Sequence, residues 1–183
     1  FLSRAREKFR AFPGVRYDIL DLERDPEEQG FLPGQFDIIV GANCVHATAD
    51  LSRTLGNLRR LLAPGGMLAL LEVTERQRWI DISFGLTEGW WRFTDRDVRA
   101  DYPLLSRNEW LTLLTSVGLS SAAAFPDPSV AGPFDRSHGL PQQALLLAQE
   151  PASAVKTAAT SVDSGGSWII LADRGGVGEA LST

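Results

Sequence analysis

The sequence predicts an α/β fold built on parallel strands joined by a helix, and three consecutive stretches carry that reading. Phe36 to Val40 is a short apolar run, rich in branched residues and preceded by Pro33-Gly34, as in a strand buried on both faces of a parallel sheet. Leu51, Leu55, Leu58, Leu61 and Leu62 recur at helical spacing behind Thr48 and Asp50, either of which can cap a helix. Pro64-Gly65-Gly66 stops that helix, and Met67 to Val73 reads as a second buried strand. Strand, helix, strand in so few residues is a right-handed crossover. In open α/β sheets, ligands bind beyond the carboxyl ends of the strands. Asn43, His46 and Glu72 are the polar residues at those ends, so function is sought there first.

Composition narrows the class. A chain of 183 residues has room for one ordinary domain and a piece of another. With 44% hydrophobic residues and a mean hydropathy of −0.07, it reads as soluble and globular. No run approaches the roughly 20 apolar residues that span a bilayer. Phe1 to Arg10 has the pattern of a charged amphipathic helix, unlike a signal peptide. A net charge of −5 argues against non-specific nucleic-acid binding. The single Cys44 excludes an internal disulfide framework and fits a reducing cytoplasm. Two histidines and one cysteine make a dedicated zinc site unexpected.

Taken in order, Leu2, Ala5, Phe9 and Phe12 form the apolar stripe of a first helix, ended by Pro13-Gly14. A helix that already needs a sheet to pack on suggests the continuation of a domain begun earlier. Val15 to Leu22 alternates as a strand ending in Asp21-Leu22-Glu23, and Arg24 to Gly34 is an acidic, turn-rich loop. The crossover unit follows. Glu75 to Asp101 then mixes Trp79, Ile80, Ile82, Phe84, Leu86, Trp90, Trp91 and Phe93 with the charged run Asp95 to Arg99. It reads either as a lid over a cleft or as a peripheral helix and loop packed by its tryptophans. Pro103-Leu104-Leu105-Ser106 opens a helix running to about Ser116, which Gly118 stops. Leu119 to Phe125 and Ala144 to Ala148 read as an antiparallel hairpin closing the sheet edge, with a turn-rich loop from Pro126 to Pro141 between them. Ala152 to Gly166 has the Ala, Ser, Thr, Val and Gly composition of a linker. Trp168 to Asp173 begins a fresh buried strand, and Arg174 to Leu181 turns toward a helix, as if opening a second Rossmann-like unit. Its glycines depart from G-x-G-x-x-G and are a weak dinucleotide signal.

Several of these stretches together carry a family likeness: Asn43-Cys-Val-His46-Ala-Thr-Ala-Asp50, Leu62-Ala-Pro-Gly-Gly66, Leu71-Glu72-Val-Thr74, Gly89-Trp90-Trp91 and Pro103-Leu-Leu-Ser106. Over residues 1–150 the chain resembles the C-methyltransferase domains of polyketide synthases. The tail from Trp168, with Ala-Asp-Arg-Gly-Gly-Val-Gly, resembles the start of the structural half of a polyketide synthase ketoreductase domain. The resemblance implies a class I, Rossmann-like methyltransferase sheet lacking its first strands over 1–150, a linker over 151–166, and the start of a ketoreductase subdomain over 167–183. It implies S-adenosylmethionine as cofactor, an acyl carrier protein bearing a phosphopantetheine-bound β-ketoacyl group as partner, and neighbouring synthase domains. The glycine-rich turn and ribose-binding acid of that fold are not in this sequence, and the resemblance places them upstream of Phe1.

The same resemblance assigns roles. His46 becomes the general base that removes the α-proton of a β-ketoacyl thioester, a proton acidified by two flanking carbonyls. By spacing alone such a histidine is more often a hydrogen-bonded structural residue. Glu72 can hold the imidazole in one tautomer, or it is a strand-end acid facing solvent. Asn43 contacts cofactor or enolate oxygen, or only ends its strand. Asp21 and Leu22 stand where the fold binds the adenine, or Asp21 only ends its strand. Trp90, Trp91 and Phe93 line the acyl-phosphopantetheine channel or serve as packing. No metal ligands are assigned. A catalytically inactive methyltransferase-like scaffold is the alternative function, and a stand-alone O-methyltransferase ranks behind both.

Overall fold

The structure is a computed structural model, and it describes residues 2–126 and 142–152 together with the backbone of 168–171. Its first sheet-forming segment is β1 (Phe36–Ala42), followed by α2 (Leu51–Leu61) and β2 (Leu62–Val73) after a short α1 (Leu2–Lys8). The strands β1 and β2 pair in parallel, with Ile39 opposite Leu68 and Ala42 opposite Leu71, as the crossover reading requires. Burial largely alternates along both strands, so among the described residues one face of the pair is covered and the other only part-buried, where burial on both faces was expected. Ile39, Leu68 and Leu70 are buried beside Leu51, Leu55, Leu58 and Leu61 of α2. Truncating one of these leucines to alanine costs about 2–5 kcal/mol, transfer and cavity terms together.

Asp50 caps α2, its carboxylate accepting from the Arg53 N–H at 2.9 Å. Thr48 does other work inside the preceding loop. β2 begins at Leu62, earlier than the Met67 expected, because Pro64-Gly65-Gly66 lies within the strand as an irregularity rather than before it. The pairing shifts from Phe36 opposite Leu62 to Ile38 opposite Met67. Gly66 passes close to its neighbours there: a Cβ would sit 2.8 Å from the Ala63 carbonyl and 3.1 Å from those of Phe36 and Asp37.

Beyond β2, α3 (Arg78–Ser83) leads through two short 3₁₀ turns to α4 (Arg107–Ser116). Ser106 caps α4 in a reciprocal capping box with Glu109. β3 (Ser120–Phe125) and β4 (Gln143–Gln149) are antiparallel, and β4 pairs antiparallel with β2 along Met67 to Val73. The expected edge hairpin is therefore present, with the loop 127–141 lying outside the described residues. Completed by β5 (Trp168–Leu171), the sheet has the order β3-β4-β2-β1-β5. No described helix is long and apolar enough to cross a membrane.

Two expectations are corrected. The first helix spans only Leu2–Lys8, and none of its residues is buried. Val15 to Leu22 forms no strand. Trp168–Leu171 pairs in parallel with β1 from Ile38 opposite Trp168 to Gly41 opposite Leu171. That pairing bears on 15–22. A strand paired on one side presents a second row of backbone N–H and C=O groups, and these need partners. With β2 on one side of β1 and β5 on the other, 15–22 has no edge of β1 to join. The expected linker from 153 on, and the helix after Leu171, lie outside the described residues.

Candidate active site

At the carboxyl end of β1 the chain turns on Asn43, which adopts a left-handed φ of 48°. Asparagine tolerates that conformation better than most residues. Its N–H donates to the Leu71 carbonyl at 2.8 Å, so the turn is fastened to β2 one residue before Glu72. The Asn43 side-chain Oδ1 is buried, with no hydrogen-bond partner among the described residues. A 3₁₀ turn over Val45–Ala47 then presents His46.

Glu72, at 0% exposure, holds this turn from beneath. One carboxylate oxygen accepts from the Val45 N–H at 3.1 Å, and the other faces His46 Nδ1 at 2.5 Å. A buried carboxylate is costly without such partners. Because an ionised carboxylate only accepts, it selects the tautomer protonated at Nδ1, leaving Nε2 as the nitrogen that can take a proton. The strand-end acid facing solvent is thus excluded for Glu72. The His46 side chain is 12% exposed, close to the surface but not on it.

The rest of the loop is tied down group by group. The Thr48 hydroxyl donates to the Val45 carbonyl and accepts from the Thr54 hydroxyl. Arg99, 1% exposed, donates to the carbonyls of His46, Thr48 and Ala49, and pairs with Asp95. Asp95 accepts in turn from the Leu51 N–H at the start of α2. Thr94 binds the Ala49 carbonyl through both its N–H and its hydroxyl. Glu23 accepts from the Ala49 N–H at 2.7 Å with one oxygen and from Arg92 at 2.6 Å with the other.

An aromatic layer covers the histidine. The Trp90 ring meets His46 edge to face at 6.0 Å and also contacts Phe84 and Tyr102. Tyr102 donates to Asp81 at 2.6 Å and carries the Arg76 guanidinium over its ring at 3.8 Å. Burial first, and the Asp81 hydrogen bond second, push the Tyr102 phenol up to about 12. Trp91 packs against Tyr102 with its indole N–H donating to Gly85, on the more exposed side of the layer.

The structure therefore brings Asn43, His46, Glu72 and Trp90 together. Phe93 sits elsewhere: it is buried, with the guanidinium groups of Arg96 and Arg99 over its ring. Asp21 is exposed in a turn, its carboxylate accepting from the Glu23 N–H and its main chain bound to Gln29. Leu22 is half-buried against the core, with its carbonyl held by Asn57. Asp21 is linked to the His46 loop through Glu23, whose N–H binds the Asp21 carboxylate and whose own carboxylate accepts from the Ala49 N–H. Sequence reading passed over Glu23, Asp95, Arg99 and Tyr102. The i, i+4 spacing of Asp95 and Arg99 was the available signal, but it was submerged in a run of charges.

Comparison with known proteins agrees with this fold. Residues 1–68 match a family described as a methyltransferase domain. The chain is 36% identical over 140 residues to the highly reducing polyketide synthase lcsB of Purpureocillium lilacinum, a match covering 76% of this chain and 6% of that protein. It thus spans a small fraction of the length of that relative. Among solved structures, the CurJ carbon methyltransferase is 45% identical with a TM-score of 0.75, covering 83% of this chain and 39% of that one. The trans-methyltransferase CalH, solved as a complex with SAH, is 33% identical with a TM-score of 0.67, covering 82% and 40% respectively. By sequence and by fold, the chain is homologous to the methyltransferase domains of polyketide synthases.

Proposed function

We propose that this chain is the C-terminal portion of a domain that methylates the α-carbon of a β-ketoacyl thioester, carried on an acyl carrier protein within a cytoplasmic polyketide synthase. The observation that supports this reading most is the buried Glu72 carboxylate 2.5 Å from His46 Nδ1. With Nδ1 committed to the carboxylate, Nε2 accepts the α-proton, and the charge that develops on the imidazole is met by Glu72. The orphaned Asn43 Oδ1 fits a ligand that offers N–H or O–H donors, as the amino and hydroxyl groups of S-adenosylmethionine do. When bound, that cofactor supplies an electrophilic sulfonium methyl group. Asn43 would hold it, and Asp21 and Leu22 would serve the adenosine. Trp90 and Trp91 shield the base and line the acyl channel, while Phe93 acts through its packing on Arg99. Residues 167–183 lead toward a ketoreductase domain.

The test is single-turnover methylation of an acetoacetyl thioester by the full-length protein, read as a mass gain of one methyl group. His46→Ala is expected to abolish transfer. Glu72→Gln keeps the shape but offers a donor where an acceptor is needed, and should lower the rate on the order of 10²-fold. Binding of S-adenosylmethionine, followed by calorimetry, should persist in both variants. Adding Glu72→Gln to His46→Ala should cost little more, because the two act as one unit. A His46→Ala protein that methylates as fast as the parent overturns the assignment of the base. An inactive parent that binds no cofactor favours the scaffold.

A further inference from the structure

We propose that Arg99, held by Asp95, is a positioning residue of this reaction, and that it fixes the main chain of the His46 loop so that the imidazole stays on Glu72. The inference rests on the reading of His46 as the base and adds a residue to it.

A guanidinium withdrawn from water is costly, and its partners show what that cost secures. Arg99 is 1% exposed. Its Nε donates to Asp95 at 2.8 Å, and Nη1 donates to the His46 carbonyl at 2.8 Å. Nη2 reaches the carbonyls of Thr48 at 2.8 Å and Ala49 at 3.1 Å. Three of its acceptors are therefore main-chain oxygens of a single short loop. An apolar side chain of the same size would fill the space without specifying where those oxygens lie. The planar fork of arginine specifies it, because its donors keep fixed directions. Asp95 extends the restraint, since its second oxygen accepts from the Leu51 N–H and ties the loop's exit to α2 at 2.9 Å.

His46 is consequently held at two points. Arg99 fixes its carbonyl, while Glu72 fixes its ring and, through the Val45 N–H, the residue before it. Releasing the first point leaves the dyad intact in composition but loose in place. A misplacement of about 1 Å at a reacting group is worth on the order of 10²-fold in rate. Lysine retains the charge yet offers one compact ammonium, which cannot serve all three carbonyls together with Asp95.

The full-length protein carrying Arg99→Lys, with Arg99→Met beside it, separates positioning from general support of the fold. Single-turnover methylation of an acetoacetyl thioester is measured together with S-adenosylmethionine affinity by calorimetry and deuterium uptake of the peptide 43–50. Expected for Arg99→Lys are a fall in rate on the order of 10²-fold, unchanged cofactor affinity and faster uptake confined to that peptide. In a Glu72→Gln background the same change should cost far less, since a dyad already broken gains little from being positioned. A parent-like rate in folded Arg99→Lys overturns the proposal, as does an undiminished loss in the Glu72→Gln background. If Arg99→Met fails to fold, the lysine variant still decides between these outcomes. A parent that transfers no methyl group rejects the reaction itself, whereas an active parent with an indifferent Arg99 rejects only the positioning role.

Discussion

At the scale of single residues, the site is a set of buried polar groups that bind mostly one another and the main chain of one loop. Glu72 and Arg99 are charged, almost fully buried and multiply hydrogen-bonded, and both act on the same short loop. Tyr102 shows the same economy one layer out. Its phenol is pushed up to about 12, first by burial and then by the hydrogen bond to Asp81, against an ordinary value of 10.0. A folded-state value above the unfolded one means that the neutral phenol stabilises the native state. That contribution is whole below pH 10, and it is lost as the pH rises toward about 12. Tyr102→Phe should therefore flatten the alkaline fall in melting temperature between those limits. A thermal-denaturation series of parent and variant against pH checks this, and parallel curves would count against it.

At the scale of elements, the ends of helices and a single strand irregularity set the geometry. Asp50 caps α2 directly after the His46 loop, so the cap also fixes where the loop ends. Asp50→Ala should destabilise by about 1 kcal/mol, read from the shift in a urea unfolding midpoint. Ser106→Ala removes half of the α4 capping box and should cost a similar amount. Gly66 is the more sensitive position, because a Cβ there meets backbone carbonyls that cannot swing aside. Gly66→Ala should exceed either cap variant in the same unfolding series, and a smaller effect would show that β2 shifts easily. The aromatic layer from Phe84 to Trp91 gains its order from ring contacts and short turns rather than from a long helix, as suits a segment that covers a site.

At the scale of the whole molecule, one mixed sheet gathers the site. The parallel pair β1 and β2 ends beneath His46 and Glu72, and the antiparallel β4 and β3 continue from β2 on the far side. On the near side, Trp168–Leu171 supplies the outermost parallel strand. In this chain the amides of 168–171 should therefore exchange slowly with deuterium, in step with those of 38–41. Rapid exchange of 168–171 beside a protected β1 would reject that pairing.

Much of this was legible in the sequence, for a definite reason. Helical spacing, the apolar runs and the capping residues act locally, so Leu51 to Leu61 and the edge hairpin could be read from the chain alone. His46 and Glu72 were legible because strand ends carry the polar residues of such sheets and because the surrounding stretches resemble a known family. What local pattern could not decide was which groups share a partner. The charged run from Asp95 to Arg99 looks like a solvated face, yet Arg99 lies inside, because three carbonyls of a distant loop needed a donor. Phe93 resembles its tryptophan neighbours in sequence but packs on that guanidinium. Val15 to Leu22 alternates like a strand, and only the occupancy of both edges of β1 denies it a place there. Local pattern was enough for most of the elements and for the polar residues that end β1 and β2. Tertiary structure alone decided the edges of the sheet and the burial of its charges, since hydrogen-bond partners far apart in the chain meet only after folding.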